Sequence, residues 1–123
     1  MIRAVAMLAL GVTISGRITG ESGKHTVWVA LWDEKTFLNG DPPRGARFDA
    51  GVAPAFSFEA DAGRWALSAY EDENENGKLD VGMFGPKERS GFSVPFHKWR
   101  APKFEDVVFT AVSDVPDAGV ALH

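Results

Sequence analysis

Thr26-Val27-Trp28-Val29-Ala30-Leu31-Trp32-Asp33 is the clearest strand in the chain. Successive side chains of a strand point to opposite faces, so Val27, Val29 and Leu31 share one face and Trp28, Ala30 and Trp32 the other. Both faces are apolar. Such a strand is either central and covered twice, or it has one face on the core and the other in a functional or oligomeric contact. Trp28 and Trp32 stand about 13 Å apart at ~3.3 Å per residue. That spacing suits stacked sugar rings or a partner's apolar patch, although core packing is the commoner use of tryptophan.

Outward from this strand, alternation recurs. Gly11 to Thr19 alternates through Val12, Ile14 and Ile18, and Gly20-Glu21-Ser22-Gly23-Lys24 turns the chain before Thr26. Phe37-Leu38 suggests a helical turn. Asn39 to Gly45, with two prolines and two glycines, reads as a loop because it cannot sustain a ladder. Ala55 to Ala60 places Phe56 and Phe58 inward, Asp61-Ala62-Gly63 reverses the chain, and Trp65 to Glu71 alternates again through Leu67 and Ala69. The stretch from Gly82 to Ser93 reads as irregular but anchored by Phe84 and Phe92. Phe104 to Val112 reads as a further strand, and Val120 to Leu122 as a short last one. No stretch sustains a helical period. The expectation is an all-β protein, an antiparallel β-sandwich of about seven strands, with Val29, Leu31, Phe56, Phe58, Leu67 and Phe109 in its core.

A chain of 123 residues is sized for one domain, read as 12–123. Residues 1–11 form a possible short signal or leading segment: Met1-Ile2-Arg3 is a small basic region and Ala4 to Val12 an apolar run. That pattern favours export to the periplasm or secretion, the rival being an apolar leading strand or helix of the domain itself. The run is too short to span a bilayer, which takes ~20 apolar residues, so no integral membrane protein is expected. There is no cysteine, hence no disulfide framework and no thiolate ligand. Seventeen acidic against thirteen basic residues, a net charge of -4, argue against a nucleic-acid surface.

Between two of these strands lies Asp72-Glu73-Asn74-Glu75-Asn76-Gly77-Lys78-Leu79-Asp80. Oxygen-bearing side chains at alternate positions, with glycine at the sixth for a sharp turn, are the grammar of a calcium loop. The ligands would be Asp72, Asn74, Asn76, the Lys78 carbonyl and Asp80. Met83 stands where an EF-hand keeps its bidentate glutamate, so a full EF-hand is not present. Calcium takes six to eight oxygens, and the downstream Glu88 is the candidate to complete the shell, glycines and Pro86 letting the chain fold back. Without metal, Glu88 would accept hydrogen bonds from backbone amides of the same loop. The competing reading is a metal-free turn in which Asx side chains cap backbone amides.

No catalytic set assembles in the sequence. His25, His97 and His123 have no metal-ligand spacing, no serine sits in a nucleophile elbow, and the loop carboxylates lie in a polar segment. The chain is read as a non-enzyme.

Asp72-x-Asn74-x-Asn76-Gly77-x-Leu79-Asp80 followed by Gly85-Pro86-x-Glu88-x-x-Gly91-Phe92-Ser93, after a strand ending Ala69-Tyr70-Glu71, resembles the bacterial domain of unknown function family 2141. The resemblance extends from about Val12 to the C-terminus. It implies a small exported protein with a transthyretin-like (prealbumin-like) or carboxypeptidase-regulatory-like sandwich, and it implies no activity. Two expectations for function follow. One is an exported binding or structural module with a calcium loop. The other is a carbohydrate- or protein-binding sandwich that uses Trp28 and Trp32, its acidic loop being metal-free.

Overall fold

The computed structural model of the protein describes residues 11–74, 88–98 and 100–123, with the backbone alone of 81–82 and 85–86. Its strands in chain order are β1 (Gly11–Thr19), β2 (Thr26–Trp32), β3 (Arg44–Phe48), β4 (Ala55–Asp61), β5 (Gly63–Asp72), β6 (Val81–Gly82), β7 (Gly85–Pro86), β8 (Ser90–Phe92), β9 (Phe109–Ala111) and β10 (Val120–Ala121). A single helical turn, α1 (Phe104–Val107), precedes β9. Two sheets form the sandwich, one ordered β10-β1-β4 and the other β3-β2-β5-β8, with β9 pairing the start of β5 and β6 pairing β7 separately. Pairing is antiparallel except between β1 and β10.

The register follows from which residues must be inside. Ile14 faces Phe58 and Val12 faces Ala60 across β1 and β4, while Val29 faces Ala69 and Leu31 faces Leu67 across β2 and β5. These inward positions merge into one cluster in which Ile14, Leu31 and Leu67 are wholly buried. Each such side chain contributes roughly 1.5–3 kcal/mol of burial. The expected core residues Val29, Leu31, Phe56, Phe58 and Leu67 belong to it, and Phe109 packs against it half-buried.

The two sheets are joined along one seam by the C-terminal segment. Val115 exchanges main-chain bonds with Thr13 and Ser15 at 2.8 Å, Leu122 donates to Thr19 O at 2.8 Å, and His123 and Ser90 bond to each other in both directions. Backbones come very close here. A Cβ at Gly91 would stand 2.1 Å from the Ala121 carbonyl oxygen, and one at Gly16 would stand 2.6 Å from that of Ala118, so only glycine fits at either place.

A second cluster covers the other side of the β2–β5 pair. Trp32, Ala66, Phe104 and Val107 are buried there, with Phe37, Phe92 and Phe96 packed around them. Strand β2 is therefore central and covered on both faces.

Three readings of the sequence are corrected. Arg44–Phe48 is a strand rather than the tail of a loop: as an edge strand it needs only Ala46 and Phe48 turned inward. Phe104–Val107 is helical, because Phe104 and Val107 then fall on one face and both enter the second cluster. The Asp106 carboxylate also reaches back to accept from the Lys103 N–H at 2.7 Å, which satisfies a first-turn donor. Finally, β10 runs parallel to β1, since the segment returns over the seam instead of turning through a hairpin. Among the described residues no helix is long and apolar enough to cross a membrane.

Candidate site at the base of the acidic loop

Strand β5 ends in two consecutive carboxylates, Glu71 and Asp72, and alternation sends them to opposite faces. Glu71 lies opposite Val27 on the inner face and is 0% exposed. Burying a carboxylate costs several kcal/mol unless donors replace the lost water. Ser22 supplies them: its N–H donates to Glu71 Oε1 at 2.8 Å and its hydroxyl to Oε2. The Lys24 N–H in turn donates to the Ser22 hydroxyl oxygen at 3.1 Å. Glu71 thus ties the β1–β2 connection to the end of β5. In the sequence Glu71 stands only as the last residue of an alternating strand. The signal was its parity with Leu67 and Ala69, since an acid in an inward position must be a hydrogen-bonded one.

Asp72 lies opposite Thr26 on the outer face, and the two are 1% and 3% exposed. This end of the outer face is covered. Glu88 is also buried, and its Oε2 accepts from the Glu73 N–H at 2.7 Å. The returning chain runs alongside β5, for the Glu71 N–H donates to the Arg89 carbonyl at 2.9 Å and Tyr70 pairs with Ser90. Glu88 is thereby carried back to the residue that follows Asp72.

Of the six residues read as calcium ligands, the structure brings Asp72 and Glu88 to one end of β5 and places Asn74 exposed beyond Glu73. Asn76, Lys78 and Asp80 lie outside the described residues, as do Met83, Phe84, Trp99 and the leading segment 1–10. Among the described residues, no three of the histidines, aspartates and glutamates are grouped so as to hold an ion.

The two tryptophans of β2 part company. Trp32 is buried edge-to-face against Phe37, with ring centres 6.4 Å apart, and its Nε1–H donates to Ser68 Oγ at 2.9 Å. Trp28 is half-buried between Arg47 and Tyr70, its neighbours on β3 and β5, with the Arg47 guanidinium 5.9 Å above its ring. Its Nε1–H is withdrawn from solvent without a hydrogen-bond acceptor. The pair does not form an open two-ring platform.

No curated protein and no solved structure matches the chain. A family model does, over residues 13–117, which runs from within β1 to just short of β10 and includes the acidic loop and Glu88. The chain belongs to that family, DUF2141, described as an uncharacterised protein conserved in bacteria.

Proposed function

We propose that this chain is a small exported module of bacteria that binds or supports a partner in the periplasm or outside the cell, with calcium held by the loop from Asp72 to Asp80. The observation that carries this reading is the burial of both Asp72 and Glu88 at the end of β5, where Glu88 folds back to the Glu73 amide. A hard cation is the economical neutraliser of carboxylates gathered in one small loop. Asp72, Asn74, Asn76, the Lys78 carbonyl, Asp80 and Glu88 would hold it, and the ion would supply charge neutralisation and rigidity rather than chemistry. Two carboxylates from the loop with neutral amides place the affinity in the weak class of ~10⁻⁴ to 10⁻³ M, suited to calcium-rich surroundings outside the cell. The apolar run that begins at Ala4, ahead of β1, is what favours export.

Thermal unfolding with calcium and then with chelator tests this. Ligand at ten times Kd raises stability by about 1.4 kcal/mol. Asp72→Asn and Glu88→Gln should each reduce the gain, the amide oxygen introduced by the second substitution keeping the bond to the Glu73 N–H. A melting temperature indifferent to calcium at several millimolar would end the metal reading.

The unpaired indole N–H of Trp28 supports a second reading, a glycan or protein contact centred on Trp28 with Arg47 and Tyr70 beside it. Quenching of tryptophan fluorescence by glycans or peptides, lost in Trp28→Phe, would favour it.

A further inference from the structure

Three histidines occur in the chain, and the fold brings two of them together. His123 follows β10, where its N–H donates to the Ser90 carbonyl at 3.1 Å and its carbonyl accepts from the Ser90 N–H at 3.4 Å. This pairing fixes the His123 backbone against β8. His97 stands on the segment that leaves β8, and the two imidazole centres are 6.3 Å apart with their planes at 63°. Both side chains are exposed. Nothing in the sequence announces the pair, because the two residues meet only through the seam that the C-terminal segment closes.

An ion at about 2.0–2.1 Å from an imidazole nitrogen stands roughly 3.2 Å from that ring's centre. Two rings on one ion therefore have centres about 5 Å apart at a tetrahedral angle, and at most about 6.4 Å apart when they face each other across it. The observed 6.3 Å lies at the wide limit. Tetrahedral zinc would require the rings to approach by about 1 Å, whereas a square-planar ion with imidazoles on opposite sides takes ring centres at about the observed separation once a nitrogen of each exposed ring turns to face the other. Square-planar nitrogen coordination is the preference of copper(II) and nickel(II), and copper(II) is the tighter binder of the two. Lys98, next to His97, disfavours an ion held by charge alone, so the bond must come from the ring-nitrogen lone pairs.

The geometry points to a copper(II) site in which the imidazoles of His97 and His123 are the protein ligands and water completes the plane. The ion cross-links the segment after β8 to the end of the strand that closes the sandwich. It is independent of the acidic loop, whose oxygen ligands suit calcium. Acid opposes binding, because only neutral imidazole coordinates.

Calorimetric titration of the untagged full chain with copper(II) and zinc(II), joined to electron paramagnetic resonance of the copper adduct, tests this. One copper per chain is expected, with nitrogen hyperfine structure from two imidazoles and an affinity more than about tenfold above that for zinc. His97→Gln and His123→Gln should each weaken copper by more than about tenfold and remove one nitrogen from the spectrum. His25→Gln and Asp72→Asn should change neither. Both histidines of the pair are exposed, so their substitution leaves the cores intact. Absence of stoichiometric binding, binding retained in the His97→Gln/His123→Gln double variant, or binding lost in His25→Gln or Asp72→Asn would each overturn the site. Because the acidic loop takes no part, failure here leaves the calcium reading as it was.

Discussion

Along β1 the outward positions are Thr13, Ser15, Arg17 and Thr19, all half-buried or exposed, whereas along β2 they are Thr26, Trp28, Ala30 and Trp32, of which the first and last are buried. The apolar side chains at the inward positions of both strands, Ile14 and Leu31 among them, are equally buried. The three-stranded sheet thus has one dry face and the other sheet has nearly two. An apolar residue on the second face of β2 is explained by the aromatic cover from Phe37, Phe92 and Phe104, without recourse to a binding surface at Trp32. Trp28, between that cover and the covered pair Thr26–Asp72, is where the explanation by packing stops.

The comparison breaks most visibly at the shared inner core. Leu31 is 0% exposed and joins the cluster from near the end of β2, opposite Leu67 of β5. Leu31→Ala should cost about 2–5 kcal/mol in urea unfolding, the range for a leucine truncated in a core that only partly collapses. A loss below about 1 kcal/mol would mean that the sheets are not packed as described.

Next in size is the tie at the sandwich end. Glu71→Ala leaves the Ser22 N–H and hydroxyl without their acceptors, and should cost about 1–3 kcal/mol. Hydrogen exchange at the Ser22 amide should rise more than exchange in β1 or β2. Uniform acceleration across both strands would instead show that Glu71 acts through global stability alone.

The two outer faces are separated by a smaller, paired experiment. Trp32→Phe removes the indole donor to Ser68 and leaves part of its volume empty, for about 1–2 kcal/mol. Ser15→Ala on the outer face of the other sheet should stay within about 0.5 kcal/mol. Equal effects would erase the asymmetry.

Much of this architecture was legible from alternation. The positions of β1, β2, β4 and β5, with ends within two residues, and their inward sets follow from period-two patterns over seven to ten residues, long enough to fix parity. Arg44–Phe48 was hidden because an edge strand beside prolines and glycine needs only two apolar positions. Phe104–Val107 was hidden because one helical turn cannot display a period. At the candidate site, the spacing of Asp72, Asn74, Asn76 and Asp80 is what suggests a loop for calcium, but the burial of Asp72 opposite Thr26 and the inward role of Glu71 depend on where β5 ends relative to β2. The approach of His97 to His123 depends on a seam between segments distant in sequence, and no local pattern encodes it.

The smallest effect lies in the cover itself, at the turn that holds Phe104 and Val107 over the outer face. Arg100 grips the Asp106 carboxylate with two donors at 2.7 and 3.0 Å, and the Lys103 N–H adds a third. The Arg100 guanidinium first, and then that amide, hold the Asp106 carboxyl far below the usual carboxylate range. A pKa depressed by folding contributes stability that is complete above the unfolded value, near ~3.9 for aspartate, and is lost as pH falls towards the folded one. Asp106→Asn abolishes the titration while its amide oxygen can still accept from Lys103. The melting-temperature difference between the parent and this variant should therefore be constant above about pH 5 and shrink steadily towards about pH 2. Salt should reduce it at every pH, since the pair is reached by solvent. The inner core carries no such dependence, so Leu31→Ala and its parent should differ by a constant amount over the same range. Parallel curves for Asp106→Asn would show that the Arg100 contact does not hold the aromatic cover in place.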